Sequence, residues 1–289
     1  MFQGMLSKQI PAISLLAGAT VWGLFWYPYR VLALFGMSGW ISLTLSYGAA
    51  LFFGLIFFRN GILSSGFSWM LVWIGLSAGL CNIGYVLAML DGEVMRVLLL
   101  FYLAPFWTVL LARLLLGERL TARGYLVIFC SVAGAVVMLW SPGRGSIFPK
   151  NDAEWLGLGS GFLFALSNVL AKLGRGCSIE ARSASVSAGV VVAGLVFELF
   201  QPSGWSGFSL DALMLLAIMG MVILAVNMVM QYGLTHTPAN RAIVILLFEL
   251  VVAAISSYFL AGEAMRSQEW IGGGMIVAAS LLSGKMEED

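Results

Sequence analysis

The chain has 289 residues, of which 61% are hydrophobic and only 10% charged, and its formal net charge at pH 7 is +1. An ordinary soluble domain carries about 25% charged residues, most of them on its exterior, so this composition excludes a soluble globular protein and makes lipid the solvent. The near-neutral balance, with no clustered basic face to neutralise phosphates, also excludes an electrostatic nucleic-acid binder.

A helix needs about 20 apolar residues to cross the hydrocarbon core. Ten runs of that size follow one another, over residues 11–34, 39–58, 67–90, 94–116, 124–140, 155–173, 183–201, 211–235, 240–261 and 269–284. The first lacks a small-residue cleavage site followed by a polar region, so it reads as a retained span and not as a signal peptide. Within it Trp22, Trp26 and Arg30 fall at i, i+4 and i+8, on one slowly drifting helix face. An aromatic face ending in a cation makes a wall for an amphipathic substrate, with packing against lipid and snorkelling as the alternative.

The third run carries Asn82 and Tyr85, and the fourth carries Tyr102, Pro105 and Trp107. Pro105 removes an amide donor inside its helix and weakens the preceding turn near Phe101, giving a hinge or a fixed bend. Asn168 lies in the sixth run, Asn227 and Gln231 in the eighth. An asparagine in lipid must find hydrogen-bond partners, so each of these faces protein or water. Glu249, in the ninth run, is the only acid near the middle of any run. An unpaired carboxylate there is expensive, so it is protonated, hydrogen-bonded or exposed to an aqueous cavity, and it is the candidate for proton coupling or for meeting a substrate amine.

Other residues read as structural. The Gly75-x-x-x-Gly79 and Gly157-x-x-x-Gly161 pairs permit close helix contact. Trp40, Trp69, Trp140, Trp155, Trp205 and Trp270 sit near run ends, where an amphipathic indole anchors at the headgroups. Glu118 and Glu263 lie at helix ends beside Arg119 and Arg266, where capping or surface ion pairs suffice. Cys81, Cys130 and Cys177 are far apart with no CxxC pair, and His236 is the one histidine, so no metal or cofactor is expected.

The hydrophilic stretch from Ser141 to Glu154 divides the chain into a first unit of residues 1–140, an extracytoplasmic linker of 141–154 and a second unit of 155–289. Of the 15 lysines and arginines, the alternation of ten spans puts 10 on the side of the termini and 5 on the other, which makes both termini cytoplasmic. An offset of 145 residues aligns Gly75 with Gly220, Asn82 with Asn227, Arg96 with Arg241 and Gly117-Glu118 with Gly262-Glu263, while an offset of 142 pairs Arg30 with Lys172. The unit of repetition is five spans. Five is odd, so the second unit enters from the opposite side. The expected fold is an all-α integral membrane protein of ten transmembrane helices, arranged as two inverted five-helix repeats around a central cavity.

Three segments carry a family likeness: GATVWGLFWYPYR near the start, residues 100–139 (LFYLAPFWTVLLARLLLGERLTARGYLVIFCSVAGAVVML), and their degenerate echo at 245–280. These resemble the EamA-type members of the drug/metabolite transporter superfamily over nearly the whole chain. The strongest element is a proline-containing fourth span ending in Gly117, Glu118 and Arg119. The second copy has Leu250 in place of the proline and Ala264 in place of the arginine. The resemblance implies a ten-helix carrier of the bacterial inner membrane that exports amino acids or other metabolites, closest to the branch that exports aromatic amino acids. The implied partners are a small-molecule substrate and the lipid bilayer.

The expected substrate-binding residues are Trp22, Trp26, Asn82, Tyr85, Tyr102, Trp107, Asn168, Asn227 and Gln231, with Glu249 for coupling and Pro105 as hinge. A membrane-embedded enzyme would need a nucleophile and base or clustered metal ligands, which one histidine does not supply. A passive channel or scaffold fits the composition but leaves the deep aromatic face and the inverted repeat without a role.

Overall fold

In lipid a backbone amide has no water to bond, so a spanning segment satisfies its own hydrogen bonds as a helix. The computed structural model describes residues 2–92, 97, 100–139, 149–202, 209–261 and 267–282, and among them there is no strand. Seven helical segments are long and apolar enough to cross a membrane: Gln9–Leu34, Gly39–Phe57, Trp69–Met89, Asp152–Gly176, Ile179–Phe200, Leu210–His236 and Ala239–Leu260. Three further apolar helices, Ala104–Leu116, Gly124–Val137 and Trp270–Ala279, are shorter. They fall within the fourth, fifth and tenth runs of the sequence.

In chain order the helices are α1 (Phe2–Leu24), α2 (Trp26–Leu34), α3 (Gly39–Phe57), α4 (Arg59–Ser64), α5 (Trp69–Asp91), α6 (Ala104–Leu111), α7 (Ala122–Leu139), α8 (Asp152–Leu173), α9 (Ile179–Phe200), α10 (Leu210–His236), α11 (Ala239–Leu246), α12 (Phe248–Ala261) and α13 (Ser267–Leu282). A π-helical turn, Ala112–Leu116, extends α6. Large apolar side chains such as Leu34, Phe67, Phe129, Leu199 and Phe200 stand exposed around the outside, as lipid solvation allows and water would not.

Among the described residues, three of the apolar runs are broken. The first breaks at Phe25 between α1 and α2, one turn before Pro28, whose ring displaces the bond that Leu24 would otherwise accept. The fourth breaks in a turn at Tyr102 and Leu103, just ahead of Pro105 in the first turn of α6. The ninth breaks at Leu247, between α11 and α12, with no proline to force it. Leu247 lies 145 residues beyond Tyr102, the offset that aligns the two halves in sequence.

Packing places these breaks together. The first helix packs against α10 and α12, α3 against α9 and α10, and α5 against α8 and α9, while α7 and α13 pair with each other. Close approach of α5 and α9 depends on glycine: a Cβ on Gly79 would collide with the backbone of Gly189, and one on Gly75 would lie 2.7 Å from the Ser185 carbonyl oxygen. Gly157 and Gly161 approach the backbone of Val97 and Phe101 in the same way, so both small-residue pairs act in packing.

Phe25 interrupts the first run between Trp22 and Trp26, and Arg30 is exposed. Trp69, Trp155 and Trp270 are exposed like interfacial anchors, but Trp40 is only half-exposed and its indole N–H donates to Glu198 at 2.8 Å, tying α3 to α9. Trp140, Trp205, Arg96, Glu263 and Arg266 lie outside the described residues.

Candidate functional site

Glu249 stands in the first turn of α12, two residues after the break at Leu247. The hydroxyl of Tyr102, at the break before α6, donates a hydrogen bond to its carboxyl group. Gly23 ends α1 just ahead of the break at Phe25, and a Cβ there would lie 2.8 Å from the Glu249 carbonyl oxygen and 2.7 Å from Val252. Three interrupted helices therefore meet at one residue, Glu249: the Tyr102 hydroxyl at its carboxyl group and Gly23 at its backbone carbonyl. Tyr47 of α3 and Cys81 and Tyr85 of α5 stand within electrostatic reach of the same group.

Aromatic rings build the surrounding wall. Trp22 stacks on Tyr47 with centroids 6.3 Å apart and an interplanar angle of 18°, and its indole N–H points at the Met230 sulfur at 3.0 Å. Trp26 donates to the Ser256 hydroxyl at 2.9 Å, and that hydroxyl in turn lies 3.2 Å from the Gly23 carbonyl oxygen. This locks α2 to α12 across the break. Phe101 joins Tyr85, Tyr102 and Phe164, with centroids 4.8, 5.3 and 5.4 Å away respectively.

Trp107 lies on α6, its ring edge-on to Phe162 at 5.4 Å. Its Nε1 has no hydrogen-bond partner among the described residues, nor do Thr108 Oγ1, Asn168 Nδ2, Asn227 Nδ2, Gln231 Oε1 and Asn240 Oδ1, all of them buried. A buried polar atom left unsatisfied costs about 1–3 kcal/mol, a cost that a water or a ligand bound beside it offsets. Asn82 differs: its amide donates to the Ala78 carbonyl of its own helix at 2.8 Å, which leaves the carboxamide oxygen as the free end. The repeat pair Asn82 and Asn227 is thus unequal.

Four functional candidates escaped the sequence reading. Tyr47 gave no signal among the tyrosines of an aromatic-rich chain. Glu118 does not pair with its neighbour Arg119. Its carboxylate accepts from Lys172 Nζ at 2.8 Å, from the backbone amides of Ala239 at 3.0 Å and Asn240 at 3.4 Å, and from the Asn240 side chain at 3.2 Å. The repeat had paired Lys172 with Arg30 but gave it no partner within its own half. Arg182, counted only toward orientation, is 1% exposed and donates to the Ala171 carbonyl at 2.8 Å and to the Thr235 hydroxyl. Those groups lie in the last turns of α8 and α10, so two helix C-termini supply the negative pole that holds the buried cation. His236 closes α10 and is exposed.

A groove of about 1500 Å³ runs along Leu51, Phe67, Gly75, Leu80, Trp155 and Val192. None of the residues named around Glu249 lines it, and its walls are mostly apolar, with Asp152, Ser160 and Ser185 among them.

These features describe a multi-pass α-helical membrane protein with broken helices meeting at a polar, aromatic-walled centre. The model of the EamA-like transporter family matches residues 152–284. An uncharacterised transporter of Archaeoglobus fulgidus (strain ATCC 49558 / DSM 4304 / JCM 9628 / NBRC 100126 / VC-16) is 30% identical over 203 residues, covering 69% of this chain and 70% of the relative. The chain belongs to the EamA-like transporter family. A solved structure described only as the crystal structure of a protein has the same fold, with a TM-score of 0.79 at 15% identity over 98% of this chain and 99% of that one. The family points to a membrane transporter and not to an enzyme.

Proposed function

We propose that the protein is a secondary transporter that exports small amphipathic metabolites, with aromatic and other neutral amino acids the leading class, across the bacterial inner membrane. Ten spans in two inverted five-helix units, with both termini cytoplasmic, would exchange access to one central site. The single observation that carries this reading is the convergence of three broken helices on Glu249, because carriers build their sites near the bilayer midplane from discontinuous helices.

The chemistry of the centre fits a zwitterion with an apolar body. Glu249 is an acid for an ammonium group, and the unspent donors of Trp107, Asn168 and Asn227 suit a carboxylate. Trp22, Trp26, Tyr85, Tyr102 and Phe101 offer faces on which an aromatic or aliphatic side chain stacks. Gln231 and Asn82 complete the polar inventory, and the break ahead of Pro105 is a place where the fourth span bends. Protein reconstituted in liposomes and screened against labelled amino acids, with and without an imposed proton gradient, tests cargo and coupling together. Saturable counterflow of a neutral amino acid is the expected result, and its absence for every amino acid tested removes this cargo class.

A further inference from the structure

Two short half-helices hang between the centre and one end of the bundle. One is α6 with its π-helical turn, running from the Tyr102 break to Leu116; the other is α11, running from Ala239 to the Leu247 break. At their inner ends the breaks that bound them are joined by the Tyr102–Glu249 hydrogen bond, Glu249 standing just past Leu247 in the first turn of α12. Their outer tips are joined as well. Gly117, at φ +69°, stops the π-helical turn in a left-handed conformation, and the Glu118 amide folds back to the Ala112 carbonyl at 3.2 Å. That reversal sends the Glu118 carboxylate off its own helix onto the first amides of α11 and onto Lys172, whose ammonium also reaches the Thr237 carbonyl at 3.0 Å.

The helices that carry these two links hold five buried polar atoms without a partner among the described residues: Trp107 Nε1 and Thr108 Oγ1 on α6, Asn168 Nδ2 one turn before Lys172 on α8, Gln231 Oε1 near the end of α10 and Asn240 Oδ1 on α11, whose amide nitrogen belongs to the Glu118 link. In a membrane such groups have only protein or water to bond. Protein leaves them unbonded in this conformation, so water or cargo completes them in another. We infer that the Glu118–Lys172 pair, with the α11 amides it caps, is the closed gate of a polar vestibule leading from the lysine- and arginine-rich end of the bundle to Glu249.

The inference rests on the transport reading for its purpose, but the gate has a physical readout of its own. Releasing Glu118 frees the start of α11 to swing about Leu247 and the end of α6 to swing about Tyr102. Charge-assisted hydrogen bonds are the strong ones in such a site, so losing this one shifts the closed–open balance by about tenfold.

The test uses full-length protein in liposomes, with Cys81, Cys130 and Cys177 replaced by serine and Gln231→Cys as reporter. A membrane-impermeant maleimide is applied from the side of the residue-118 end. Glu118→Gln and Lys172→Met should each speed labelling about tenfold, and Arg119→Gln, whose side chain is exposed, should leave it unchanged. Asn240→Ala, which deletes only one donor to the carboxylate, should give a smaller change in the same direction and serves where a charge variant fails to fold. Unchanged labelling in correctly folded Glu118→Gln, Lys172→Met and Asn240→Ala overturns the gate. Amino-acid counterflow is measured in parallel vesicles holding the protein with Gln231 intact. Faster labelling without counterflow keeps the gate and removes the transport reading, while counterflow without faster labelling does the reverse.

Discussion

Tyr102 and Glu249 stand at breaks in two different helices and are held together by one hydrogen bond, the phenol donating to the carboxyl group. Each break frees backbone groups that an unbroken helix would consume, and the bond makes the two breaks a single structural unit. Gly23 brings a third break into contact with that unit, since nothing larger than hydrogen fits against the Glu249 carbonyl.

Glu249→Gln separates coupling from architecture. Glutamine keeps an acceptor for Tyr102 but has no proton to release. Stimulation of transport by a pH gradient should disappear while equilibrium counterflow persists. Full retention of gradient-driven transport would assign Glu249 a structural role and leave a uniporter.

Gly23→Ala should lower the thermal midpoint of the purified protein in detergent, because the added methyl overlaps both Val252 and the Glu249 carbonyl. Overpacking of this kind costs about 1–3 kcal/mol. An unchanged midpoint would mean that α1 and α12 are not in the close contact described.

Alanine at two or more of Trp22, Trp26, Tyr85 and Trp107 should reduce transport in liposomes while folded yield is kept. Trp26→Phe gives a finer reading, since it retains an aromatic face and deletes only the bond to Ser256. Unchanged transport in the multiple-alanine proteins, with every cargo tested, would remove these rings from the site.

The membrane class was legible in composition, and the apolar runs anticipated each described helix of spanning size. The bend ahead of Pro105 was legible too, because a proline's missing amide acts locally. The break at Leu247 was not, for it has no proline and depends on packing around Glu249. Glu249, Tyr85 and Tyr102 could be singled out as deep polar or aromatic residues, and Tyr102 bonds to Glu249 while Phe101 joins it to Tyr85. Glu118, Lys172 and Arg182 could not, because each has a partner far along the chain, 54 residues away for Glu118 and Lys172 and 53 for Arg182 and Thr235, and a charge at a helix end reads as solvated until a distant helix terminus is placed against it. Arg30, which the spacing left between an aromatic wall and a snorkelling position, is exposed.

Arg182→Met should destabilise the protein by about 2 kcal/mol or more, since hydrogen bonds from a charged donor contribute about 1.5–3 kcal/mol each and two helix ends would lose theirs. Arg182→Lys should recover part of the loss. A thermal midpoint in detergent unaffected by either change would show that α8 and α10 do not depend on this cation.

The proposed carrier topology is checked by cysteine accessibility at positions 3, 146 and 286: the first and last should label from the cytoplasmic side, and the middle one from the opposite side. Any other pattern contradicts two inverted five-helix units.

The most direct measurement is equilibrium exchange in liposomes preloaded with unlabelled phenylalanine or tryptophan and supplied with the labelled amino acid outside. A carrier with one central site at Glu249 gives transient, saturable accumulation of label that excess unlabelled amino acid abolishes and that the multiple-alanine protein lacks. Flux that rises linearly with concentration, or no flux for any neutral amino acid, would contradict it.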